Sequence, residues 1–357
     1  MQAQSLVEMD VGSRLPSILE LLPENLKALM DELGQPAYRA NQIFRALHKR
    51  GAHSWDELTD IPAGLRATLG ERFVISPVIV EQELTSADCT RKQLLRLPGN
   101  QRVETVAIPA TSTDSGSSRL SVCVSTQAGC AMACTFCATG SMGLARNLTA
   151  AEIVSQVYGF RIDGQQAPSH VVFMGMGEPL ANYQATITAV RLLSHPEGAN
   201  LSQRRLTIST SGLVPQIRKL AGEKLEVTLA ISLHAPTDEL RNQLMPINRR
   251  WPLTELMGSA DEYVRRTHRR VSYEYVLLAG VNDAPEQAEG IVELLRGRLA
   301  HVNLIPYNAT DAEFGRTPAH HARAFRDRIA NAGISVTIRA SRGTDITAAC
   351  GQLIVKP

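Results

Sequence analysis

From residue 119 onward, short apolar runs alternate with longer stretches whose apolar residues recur at helical spacing. The short runs predict strands over 120–125, 170–174, 205–209, 227–233, 271–276, 301–305 and 334–339. Between them the pattern predicts helices over 150–162, 183–193, 213–220, 254–267, 285–296 and 320–331. Repeated strand–helix units predict a parallel sheet, open or closed. Within the strands the alternation separates two kinds of face. Leu120, Val122 and Val124 oppose Ser121, Cys123 and Ser125; Leu206 and Ile208 oppose Thr207 and Ser209; Leu229, Ile231 and Leu233 oppose Thr228, Ala230, Ser232 and His234. The apolar faces should pack on outer helices. A packed barrel core is rich in bulky branched residues, so small polar faces predict an incomplete α/β barrel whose lumen holds a ligand.

Before that repeat, residues 1–75 predict a small helical domain broken at Gly34, Pro36, Gly51 and Pro62. Residues 76–118 predict a β-rich linker with strands near 78–84, 91–97 and 102–108, closed by a polar loop over 110–119. The core with its C-terminal extension occupies 119–357. The N-terminus lacks an apolar signal region and no apolar run approaches membrane-spanning length, so a cytoplasmic protein without membrane contact is expected. With 37 basic and 35 acidic side chains, charge neither announces nor excludes a nucleic-acid partner.

Cysteine usage is more specific. Six cysteines are present, and Cys130, Cys134 and Cys137 form a Cys-x3-Cys-x2-Cys triplet just after a predicted strand. Structural zinc usually takes four closed ligands, commonly as paired Cys-x2-Cys units. A cubane iron–sulfur cluster held by three thiolates leaves one iron open to a non-protein ligand. The spacing favours the cluster and leaves zinc as the alternative. Thr149 followed by Glu152 predicts a capping box opening the 150–162 helix.

The triplet, with Phe136 before its last cysteine, resembles the signature of radical S-adenosylmethionine (SAM) enzymes, and "GMGEP" at 175–179 with its flanks resembles their SAM-contacting motif. "RVETV", "CVSTQAGC", "HVNLIPYN" and "AACGQL" then occur in the order seen in the RlmN/Cfr methyltransferases, a resemblance running from about residue 22 to residue 353. It implies a partial (βα)6 TIM-like radical SAM barrel with an N-terminal RNA-binding accessory domain. It also implies one [4Fe–4S] cluster on Cys130, Cys134 and Cys137, its open iron bound by SAM, and two SAM molecules per turnover. Cys350 would carry a methyl group as S-methylcysteine, and Cys123 would resolve the resulting RNA adduct through a disulfide with Cys350. Glu104 matches a proton acceptor, although by itself it reads as a solvated strand glutamate. Gly177, Glu178, Ser209, Ser232, Leu233, His234 and Asn308 match SAM contacts.

The implied reaction is methylation of C2 of an adenine in 23S rRNA (the adenine 2503 type), with tRNA adenine 37 as a further candidate. "GEP" and "IPYN" favour this over the Cfr-type reaction at C8. A rival of another class is a non-catalytic RNA-binding module stabilised by metal. An electron donor such as flavodoxin or ferredoxin is implied, and a monomer is expected. Lys49, Arg50, Arg204, Arg205, Arg249, Arg250 and the basic run 265–270 are candidates for phosphate contact. Cys89, in "DCTRK", has no assigned role.

Overall fold

The strand–helix rhythm becomes an open sheet in a computed structural model that describes residues 15–110, 119–161, 167–310 and 312–355. In chain order the helices and strands are α1 (Pro23–Glu32), α2 (Tyr38–Phe44), α3 (Ala63–Arg72), β1 (Ile79–Thr85), β2 (Arg91–Arg96), β3 (Arg102–Pro109), β4 (Leu120–Cys123), β5 (Gln127–Cys130), β6 (Gly143–Asn147) and α4 (Ala150–Tyr158). They continue as β7 (His170–Phe173), α5 (Tyr183–Ser194), β8 (Leu206–Thr210), α6 (Val214–Ala221), β9 (Thr228–Ser232), α7 (Asp238–Leu244) and α8 (Leu253–Thr267). The chain closes with β10 (Val271–Leu277), α9 (Pro285–Leu295), β11 (Ala300–Pro306), α10 (Ala319–Asn331) and β12 (Ser335–Ile338). The polar loop expected over 110–119 lies largely outside the described residues.

One sheet runs β1-β2-β3-β4-β7-β8-β9-β10-β11-β12. From β4 to β12 every pairing is parallel, and six helical crossovers join the seven strands. The strands at the two ends, β1 and β12, do not pair with each other, so the barrel is incomplete. The three strands expected in the 76–118 segment form as β1–β3 and continue the same sheet in antiparallel fashion. This segment lacks crossover helices, and short turns favour the antiparallel arrangement.

The predicted faces hold. Leu120, Val122 and Val124 are buried, as are Leu206, Ile208, Leu229 and Ile231, in one core shared with Ile153, Val154 and Val157 of α4 and with α5. The capping box of α4 is complete: Glu152 N donates to Thr149 Oγ1 and Thr149 N donates to Glu152 Oε2. From the same helix Gln156 clasps Ser125, accepting from its N and donating to its O, both at 2.8 Å. That clasp sets the bend by which β4 delivers the cysteine triplet. The N-terminal helices dock on α4 through a buried contact, His48 Nδ1 to Tyr158 OH at 2.7 Å, with Arg161 donating to His48 O at 2.8 Å. Two elements escaped the pattern. The β5–β6 hairpin and α7 are too short to show a period of their own.

Candidate functional site

The ends of β7, β8, β9, β10 and β11 open onto one cavity, the end at which parallel α/β folds build sites. Its wall carries Cys130, Cys134 and Cys137 together with Gly177, Glu178, Ser209, Ser232 and His234. With Cys350, which lines the same wall, nine of the expected site residues therefore meet there.

The loop after β7 comes first. Gly177 adopts φ +97°, and a Cβ there would stand 2.5 Å from Gln127 Cβ and 2.8 Å from Gln127 N. Only glycine fits this approach. The approach puts Glu178 N on Gln127 Oε1 at 2.8 Å and sinks the Glu178 carboxylate to 3% exposure. Its oxygens accept from Leu180 N at 3.0 Å and from Ser211 N at 2.6 Å, so it ties the β7 loop to the β8 loop. Burial raises its pKa, and the backbone donors partly oppose that rise.

His234 sits after β9 with φ +59°. Its Nδ1 accepts from Val276 N at 2.9 Å, which leaves the proton on Nε2. Burial, with the nearby Arg241 charge, holds its pKa down at about 3, so the ring is neutral. Phe136 of the triplet loop meets it edge to face at 4.7 Å. Asn282 locks the turn by donating to His234 O and Val276 O. Leu233 is buried and acts through its backbone, its N donating to Glu274 O and its O accepting from Arg241.

The three thiols stand in apolar surroundings. Burial pushes Cys130 up to about 11 and raises Cys134, which the neighbouring cysteines raise further. Among the described residues no three His, Cys, Asp or Glu side chains converge closely enough for one metal ion. Three thiols spread around one cavity match a polynuclear cluster, in which each thiolate takes a different iron. Two buried polar atoms on the same wall, Glu274 Oε2 and Ser211 Oγ, have no protein partner. A polar ligand is the fitting occupant.

A second cavity adjoins the first and is lined by Cys123, Ser121, Arg119, Arg342 and Asn308. Cys137, Arg339 and Cys350 belong to both walls. Cys350 is thus half-buried at the junction, facing the triplet on one side and sharing a cavity with Cys123 on the other. Asn308 Nδ2 donates to Cys350 O at 3.2 Å, placing Asn308 beside the cysteine tail rather than in the triplet cavity. Ala138 N donates to Gly351 O at 2.9 Å and Thr139 Oγ1 to Leu353 O at 2.6 Å, so the triplet loop itself carries the tail. Cys123 is buried and raised to about 12, mainly by burial and then by Cys350, with Arg339 opposing.

Glu104 is not solvated. It is 5% exposed, pairs with Lys92 Nζ at 2.7 Å and lies in neither cavity. A strand glutamate is solvated only where its face of the sheet is open to water, and here the returning C-terminal tail covers that face, Ile354 N donating to Glu104 Oε2.

Sequence reasoning missed Arg241, Arg339 and Glu274. Arg241 is fully buried and donates to Leu233 O, Ser232 O, Ser211 O and Asn248 Oδ1, cross-linking the β8 and β9 ends. Its partners are mostly backbone carbonyls from distant segments, which leave no local signal. Arg339 lies beyond β12, and the Cys350 thiol raises its pKa. Glu274 could have been found, because it shares the strand parity of Ser272 and opposes the buried Tyr273 and Tyr275.

Comparison with known proteins adds to this geometry. The model of the radical SAM superfamily matches residues 124–295, and that of the ribosomal RNA large subunit methyltransferase N-terminal domain matches residues 17–75. The dual-specificity RNA methyltransferase RlmN of Anaeromyxobacter dehalogenans is 47% identical over 347 residues, covering 95% of this chain and 91% of the relative. That of Halorhodospira halophila is 45% identical, covering 94% and 93%. The crystal structure of a radical SAM methyltransferase from Sphaerobacter thermophilus superposes with a TM-score of 0.90 at 46% identity, covering 95% of this chain and 99% of that one.

Proposed function

The chain belongs to the RlmN family of radical SAM methyltransferases, and on that premise we propose that it methylates C2 of an adenine in 23S rRNA, with tRNA adenine 37 as a second substrate. The single observation that carries this reading is the position of Cys350 on the wall shared by the triplet cavity and the Cys123 cavity. A non-catalytic metal-stabilised module has no use for a thiol brought from the end of the chain to that junction.

The residues fit a cluster and SAM. Cys130, Cys134 and Cys137 would hold a [4Fe–4S] cluster through three thiolates, leaving one iron for SAM. Glu178 and the Ser209, Ser232 and His234 side chains present acceptors and donors to a zwitterionic ligand. When bound, cluster and SAM together supply a carbon radical able to abstract hydrogen from a methyl group.

The chain's own residues do the rest. Cys350 carries the methyl as a thioether, in the place where it faces both the radical source and the RNA base. After the methylene has joined the base, Cys123 attacks the Cys350 sulfur. The S–S bond forms as the carbon–sulfur bond breaks and its electron pair passes to the methylene carbon, which takes a solvent proton to become the methyl; the ring proton leaves to a base, the adduct's unpaired electron would return to the cluster as one-electron acceptor, and a reductant restores both thiols. Resolution needs the thiolate of Cys123, and Arg339 is the cation that favours it. Glu104 matches the family's proton acceptor, but as placed it is engaged by Lys92; reaching the base calls for the tail to open. The target adenine must be unstacked to enter.

The test is anaerobic. The iron- and sulfide-reconstituted protein is given SAM, dithionite and an unmodified 23S rRNA fragment, and the digested RNA is compared with 2-methyl- and 8-methyladenosine standards. 2-Methyladenosine that disappears in Cys350→Ala supports the proposal. 8-Methyladenosine moves the protein to the Cfr-type reaction. If an iron-loaded enzyme yields neither product and no 5′-deoxyadenosine, the catalytic reading fails.

A further inference from the structure

The triplet loop has a second side. Cys130 and Cys134 line the inner cavity, but Ala131 and Ala133 between them are exposed, the loop turning at Ala133 with φ +51°. Ala131 and Ala133 present only methyl groups there. The two alanines border a shallow depression completed by Pro246, Ile247, Arg249 and Arg250. Met132 lines both this depression and the inner cavity, so one side chain separates them. Thr135 N donates to Leu244 O at 3.0 Å, fixing the loop against the segment that carries the arginines.

Both arginines are exposed, and neither forms an ion pair among the described residues. Arg204, Arg218 and Arg266 are each taken by a glutamate, while Arg205, Arg265 and Arg270 are also exposed without an ion pair among the described residues but do not border this depression; what distinguishes Arg249 and Arg250 is their place outside the triplet loop. Arg250 stacks on Trp251 at 4.6 Å, which holds its charge in place beside the depression. A flat, small-residue patch with two free cations, directly outside the triplet thiols, has the composition of a transient electrostatic interface. The depression shares no lining residue with the cavity that holds Cys123. A partner seated there leaves the RNA entrance open.

We infer that this depression is the docking site of a small acidic one-electron donor protein, with Arg249 and Arg250 as its electrostatic anchors. The inference rests on the reading that the triplet holds the cluster. One electron leaves the donor and enters the cluster past Met132, with no bond made and no proton moved. Arg249 and Arg250 were also candidates for RNA phosphate contact, and that assignment is the competing outcome.

The experiment uses the iron-loaded enzyme and reduced flavodoxin, an acidic flavoprotein, as the donor. Arg249→Glu with Arg250→Glu should slow cluster reduction by flavodoxin at least tenfold at low salt, with the difference shrinking as salt screens the charges. Reduction by dithionite and the Kd for RNA should stay as in the unsubstituted enzyme. An unchanged flavodoxin rate overturns the inference. So does a weakened RNA Kd with normal flavodoxin reduction, which returns the arginines to phosphate contact. Should the charge-reversed protein load iron poorly, Arg249→Gln with Arg250→Gln replaces it, and an unchanged rate there overturns the inference equally. Failure of the unsubstituted chain to load a reducible cluster counts instead against the proposed function.

Discussion

Glu104 and Ile354 meet across 250 residues of sequence: Ile354 N donates to Glu104 Oε2 at 2.9 Å. The other carboxylate oxygen takes Lys92 Nζ at 2.7 Å, and Lys92 in turn donates to Thr347 Oγ1 at 3.0 Å. One buried ion pair on β2 and β3 therefore grips the chain on both sides of Cys350. Breaking a buried pair leaves an uncompensated charge. Lys92→Met should destabilise the fold by about 3 kcal/mol in urea titration, and adding Glu104→Gln should recover most of that. Both single variants should speed alkylation of Cys350 by iodoacetamide. An unaltered alkylation rate in Lys92→Met means that the pair does not hold the tail.

A second prediction concerns acid. Burial lowers His48 and His234 from 6.5 to about 3. Between those values the unfolded chain binds protons that the folded chain refuses. Their contribution is complete above pH 6.5 and is lost as pH falls toward 3. At pH 5 the loss should be about 2 kcal/mol for each histidine. Urea midpoints compared between pH 7.5 and pH 5 measure it, and His48→Asn should flatten the slope. A slope that stays as steep in His48→Asn shows that other groups set it.

Gly177→Ala tests the loop after β7. The added methyl must displace Gln127, and Glu178 is carried with the loop. SAM affinity, read by equilibrium binding to the iron-loaded protein, should fall by at least about tenfold, or 1.4 kcal/mol. Iron content is read on the same samples, because Gln127 shares β5 with Cys130 and a loss of iron would mark a displacement that reaches the thiols. Normal SAM affinity in this variant removes the Glu178 loop from the ligand site.

Cys89 gains a physical account. It is exposed and sits at φ +63° in the turn from Ser86 to Thr90, where Cys89 N donates to Ser86 O at 3.0 Å. A side chain pays about 1 kcal/mol to occupy the left-handed region, a cost glycine avoids. Cys89→Gly should therefore raise the thermal midpoint slightly, by up to about 0.5 kcal/mol of stability after the greater chain entropy of glycine is subtracted. A lowered midpoint means the cysteine side chain makes a contact that outweighs the backbone strain.

Much of this protein was legible in its chain because the relevant signals are local. All seven core strands and six of their helices follow from period-2 and period-3.6 patterns, and the lumen positions of Ser209 and Ser232 follow from parity, whereas His234 reaches the cavity from a left-handed turn beyond β9. The cysteine triplet announced itself by spacing, and the helix that follows it by its capping box. Tertiary structure decided what depends on distant segments meeting. Only the fold brings Cys350 to the junction of two cavities, buries Glu104 under the tail, and lets Arg241 bind carbonyls from the ends of β8 and β9. Backbone carbonyls are the same at every residue, so no sequence pattern marks which of them a buried guanidinium will find.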